Sequence, residues 1–146
     1  MAFKGRIAAR VLVAAISVLS LSLLAETGET YKARLSAVPA DARTRPDLTG
    51  TGAATAVLMG TKLTVTGSFD GLKSPATVAR LHNAVMAGVR GPAILDLTTT
   101  KAVSGTLSGT LDLTPPQLEN LRKGGLYVQI YSEKAPEGVL WGWLVK

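Results

Sequence analysis

The chain has 146 residues, sixteen Lys and Arg against ten Asp and Glu, a single histidine and no cysteine. Disulfides and thiolate metal sites are therefore excluded. Its basic residues are scattered rather than interleaved with aromatics, so nothing marks a nucleic-acid surface.

The N-terminus reads as an export leader. Lys4, Arg6 and Arg10 precede an uncharged apolar run from Val11 to Ala25, which is shorter than the roughly 20 residues a membrane-spanning helix needs. Residues 1–25 are thus expected to be a signal peptide cleaved after Ala25, with an uncleaved anchor as the alternative. Without them, thirteen basic residues face ten acidic ones, and the net charge falls from +6 to +3. Residues 26–146 suit one domain able to bury a core.

Period-two alternation dominates the chain after the leader. In "YKARLSA", Tyr31, Ala33, Leu35 and Ala37 share one face. Residues 26–50 are expected to form an extended N-terminal arm, and "ADARTRPDLTGTG" reads as a loop. That loop displays Arg43 and Arg45 as candidate partner contacts, because arginine is enriched among interface anchors. "AATAVL" turns at Gly60 into "KLTVTGSF", where Leu63, Val65 and Phe69 face one way. "TVARLHN" and "AILDLTT" are strands around the glycine-rich "AGVRGP". In "VSGTLSGTLDL", Val103, Leu107, Leu111 and Leu113 form the inward face. "TPPQLENLRKGG" then predicts a helix near 115–123, with Thr114 and Gln117 as a capping box, Pro115 in the first position and Gly124 at the end. "LYVQIYS" and "VLWGWLV" close the chain as strands joined by "EKAPEG". Eight short strands and one helix predict an all-β fold, an antiparallel sandwich of the Greek-key type.

Four segments in order, "YKARLSAVPADARTRPDLTGTGAATAVL", "VARLHNAVMAGVRGPAILDL", "SGTLSGTLDLT" and "GGLYVQIYSEKAPEGVLWGWL", make the chain resemble the chordin-type (CHRD) domain. That resemblance implies an exported β-sandwich module over about residues 30–145. Two departures stand out. The family's His-x-His pair and third histidine correspond here to Arg80, His82 and Tyr131. Its C-terminal Gly-Glu-Ile-Arg-Gly-Gln-Leu corresponds to Gly138 through Leu144, so Trp141 and Trp143 replace polar, outward residues. On this reading Leu140 and Leu144 face the core. Tyr127, Gln129 and Tyr131 share the tryptophans' side, and the aromatics form one patch if the two strands pair. Trp141, Trp143, Tyr127, Tyr131, Arg80 and His82 are the candidate docking residues, with His82 read as a surface or interface histidine.

Within the C-terminal stretch, "LYVQIYSEKAPEGVLWGWL" is also similar to the small subunit of bacterial membrane-bound quinohaemoprotein alcohol dehydrogenases. The likeness implies a subunit without a cofactor that supports a larger periplasmic chain carrying pyrroloquinoline quinone, beside a cytochrome c subunit at the outer face of the inner membrane. Membrane association would come only through the complex or an uncleaved leader. No nucleophile elbow, paired carboxylates or dinucleotide loop accompanies the single histidine. Catalytic, cofactor-binding and metal-binding residues are therefore assigned nowhere. The expected role is a non-catalytic accessory subunit. A stand-alone surface or matrix module and a degenerate metal-site enzyme are the competing readings.

Overall fold

A computed structural model describes residues 28–146, so the leader at 1–25 lies outside the described residues. The alternating segments form eight strands: β1 (Glu29–Ala37), β2 (Thr51–Met59), β3 (Lys62–Asp70), β4 (Ala76–Asn83), β5 (Ala93–Thr99), β6 (Gly105–Asp112), β7 (Leu126–Ser132) and β8 (Ala135–Trp143). One helix, α1 (Pro115–Arg122), separates β6 from β7. All pairings are antiparallel.

The expected sandwich is instead a closed barrel in the order β1-β2-β3-β6-β5-β4-β7-β8. Two strands close it by serving partners on both sides. β1 pairs with β2 along Glu29–Leu35, then with β8 through Ser36↔Trp141 and Ala37↔Leu140. A further bridge, Lys32↔Val145, extends that seam. β5 pairs with β4 through Ala93–Leu97 and with β6 through Thr98 and Thr99. Closure removes the open edges a sandwich would present to other chains. A sandwich and a barrel require the same inward alternation, so the pattern in single strands does not separate them.

The seam depends on Gly142, which lies within β8 between the two tryptophans. A Cβ there would press into the backbone carbonyl of Arg34 and the side chain of Leu35 in β1. Backbone cannot step aside as a flexible side chain can. Gly142→Ala is therefore expected to cost about 1–3 kcal/mol by forcing β1 and β8 apart, read as a lower midpoint in urea unfolding.

Inside the barrel, Leu35, Leu63, Val65, Leu81, Ile130, Leu140 and Leu144 are among the buried apolar side chains. Three expectations need correction. Val103 precedes β6 and is 45 % exposed, so the inward face of that strand begins at Leu107. The β7–β8 connection is only Glu133–Lys134, because Ala135 already pairs with Ser132 beside a register shift. Within the expected arm at 26–50, Glu29–Ala37 is β1 itself, a wall strand, and it is followed by a loop with a single 3₁₀ turn at Arg45–Asp47.

The helix forms as its sequence dictates. Thr114 Oγ1 accepts from the Gln117 amide at 3.4 Å, while Gln117 Oε1 accepts from the Thr114 amide at 3.0 Å. Leu121 enters the core. Near the helix C-terminus, Arg122 approaches Glu29 at 3.7 Å, and Lys146 approaches the same carboxylate at 3.6 Å. The buried Tyr31 hydroxyl donates to Glu29 at 2.7 Å. Burial and this carboxylate together push the Tyr31 pKa up to about 12. The first strand, the helix and the chain end are thereby tied at one point.

Candidate docking face

Strand register decides which side chains meet outside the barrel, since neighbours directly across strands interact most closely. His82 in β4, Tyr127 in β7 and Trp143 in β8 stand in one row. Arg80, Gln129 and Trp141 stand in the next. Leu140 and Leu144 are fully buried on the other side of β8, so the tryptophans do point outward.

The rings of these rows are in contact, one pair stacked and the others tilted or edge-on. The His82 ring lies on Tyr127 with centroids 4.7 Å apart and planes 13° from parallel. Tyr127 lies 4.3 Å from Trp143 and meets Trp141 edge-on at 5.9 Å. The two tryptophans are 5.9 Å apart. Offset and edge-on pairs of this kind hold one another in place beyond simple area burial.

This packing changes the expected roles. Tyr127 and Gln129 are each only 1 % exposed, so they floor the face instead of contacting a partner. His82, expected at the surface, is 7 % exposed. Its cover is the loop 84–92, which the glycine-rich segment had suggested was only a connection. Gly91 donates its amide to the Tyr127 hydroxyl at 3.0 Å, and its carbonyl accepts from His82 Nδ1 at 2.8 Å. A Cβ at Gly91 would collide with the Asn83 carbonyl, so only glycine lets the loop lie this close. Trp141, Trp143, Tyr131 and Arg80 remain partly exposed and form the accessible rim.

Because a carbonyl only accepts, Nδ1 of His82 carries the proton, and Nε2 accepts from the Tyr131 hydroxyl at 2.8 Å. Both ring nitrogens are engaged by protein. Among the described residues, no three His, Cys, Asp or Glu side chains cluster as a metal site. Burial holds the His82 pKa below its ordinary 6.5; Arg80 and Arg90 push the same way, and the Gly91 carbonyl opposes them. The unfolded chain therefore takes up this proton first as pH falls. The stability that neutral His82 supplies is full above about pH 6.5 and declines below it. Chemical denaturation at pH 7.5, 6.5 and 5.5 should show the decline, and His82→Asn should flatten it.

Cations flank the rings. Arg80 pairs with Asp96 at 2.8 Å and lies 5.3 Å over Tyr131. Arg90 lies 5.3 Å over Trp141, within the distance at which a cation is attracted to an indole face. Arg90, Gly91 and Asp96 were not legible as part of this face. Arg90 and Gly91 sit in a Gly/Pro-rich connection, and their approach depends on how that loop folds back. Arg43 and Arg45, by contrast, stay in the exposed loop after β1. Asp41 Oδ1 organises that loop by accepting from the amides of Arg43 and Thr44. Among the described residues no hydrogen bond or ion pair ties either arginine to the aromatic face.

No match to the chain is found among curated proteins or among solved structures. The family model described as "CHRD domain" matches residues 31–144, a span running from the first strand of the barrel to just past the last. By that match the chain belongs to the CHRD domain family.

Proposed function

We propose that the protein is an exported, non-catalytic accessory subunit whose Trp141–Trp143 face docks on a larger periplasmic redox enzyme. The observation that carries this reading is the partly exposed aromatic rim, which stands outside a barrel with its own separate buried apolar core. Aromatic residues and arginine together are the side chains most enriched in protein interfaces. The CHRD domain is not a known enzymatic family, in keeping with a binding role. Export rests on the leader pattern at 1–25. A quinohaemoprotein alcohol dehydrogenase, with its cytochrome c subunit, is the proposed partner on the strength of the 126–144 segment alone.

The test is affinity isolation of the full chain from solubilised membranes, with no tag at the C-terminus, because Val145 and Lys146 lie against β1 and Glu29. Co-purification of a haem-containing dehydrogenase in fixed ratio supports the proposal. Recovery of a cell-surface or matrix protein instead would favour the stand-alone module.

A further inference from the structure

Next to the docking face, and sharing Arg90 with it, lies a cleft. Its volume is about 310 Å³, and it opens between the loop after β1, the β7–β8 turn and Arg90. Val38, Leu48 and Pro136 supply apolar wall, and Arg90 and Lys134 supply positive charge. Neither cation makes a salt bridge among the described residues. Glu137 is the one acid lining the cleft, and its carboxylate pairs with neither of them.

We infer that this cleft binds a small organic acid, a carboxylate on an apolar body. Arg90 is positioned before any ligand arrives. Its guanidinium lies against Trp141, and one Nη1–H reaches the Glu137 carbonyl at 3.4 Å. A guanidinium has five N–H donors in a planar fork, so the others are free to take both oxygens of a carboxylate. Positioning in advance lowers the ordering cost of binding. The volume falls at the small end of the range for ligand sites, and the mix of apolar wall with a few polar groups is the composition such sites share. Two cations against one acid favour an anion over a neutral ligand of the same shape.

The probes are benzoate and hexanoate, with benzamide and hexanamide as neutral counterparts, titrated into the full chain by calorimetry and by tryptophan emission. Both carboxylates should bind with a Kd of about 1 mM or tighter, and the amides about tenfold more weakly. Emission should change with occupancy, because Arg90 touches Trp141. Arg90→Ala should weaken benzoate about tenfold, and Lys134→Ala about threefold, with melting temperatures close to wild type. Equal affinity for acids and amides, unchanged binding in both variants, or no binding at about 10 mM benzoate would overturn the inference. Partner capture is a separate readout, so either result can fail without the other.

Discussion

Leu140→Ala is expected to lower the free energy of unfolding by about 2–5 kcal/mol. Leu140 is fully buried, and it stands where β8 pairs with both β7 at Ile130 and β1 at Ala37. Shortening it removes apolar contact and leaves a cavity at the point of closure, where strands already bonded on both sides have little freedom to collapse. The loss belongs to the high end of that range if the seam stays rigid. Urea unfolding monitored by circular dichroism gives the number. Because the substitution leaves the outward rings in place, the folded fraction should still capture the proposed partner.

Trp141→Arg combined with Trp143→Gln should do the opposite. Binding to the proposed partner should weaken by about 2 kcal/mol or more, roughly thirtyfold, because the partly exposed aromatic anchors are the proposed centre of the interface. Strand direction alone suggests almost no loss of stability. The stack alters that expectation: both tryptophans cover Tyr127, and Arg90 leans on Trp141. A loss of about 1–3 kcal/mol is therefore expected. The double variant should remain folded at 25 °C yet fail to retain the proposed partner. Biolayer interferometry with the isolated partner, alongside a thermal melt, separates the two effects.

Local pattern carried much of this structure. Alternation placed Leu35, Leu63, Val65 and Leu107 inward, and the Thr114–Gln117 capping box marked the one helix. The direction of Trp141 and Trp143 followed from two-residue spacing once Leu140 and Leu144 were assigned to the core. Barrel closure did not follow, because it rests on Ser36 and Ala37 meeting β8 more than a hundred residues later. The burial of His82 was hidden for a related reason. A lone histidine beside Arg80 on an outward strand face reads as solvent-exposed until a loop is known to cover it. That cover depends on Gly91 reaching Tyr127 and His82 from a Gly/Pro-containing segment with no strand or helix pattern of its own. Val103 was misplaced because its spacing continued the alternation, although β6 begins only at Gly105.

The most direct measurement uses the fact that Trp141 and Trp143 are the only two tryptophans of the chain. Full chain labelled with 5-fluorotryptophan should give two ¹⁹F resonances, each sensitive to exchange of H₂O for D₂O because both rings are partly exposed. On addition of the unlabelled partner, both signals should move and lose that solvent sensitivity. Two resonances that stay where they were in a demonstrably formed complex would place the interface elsewhere and contradict the account.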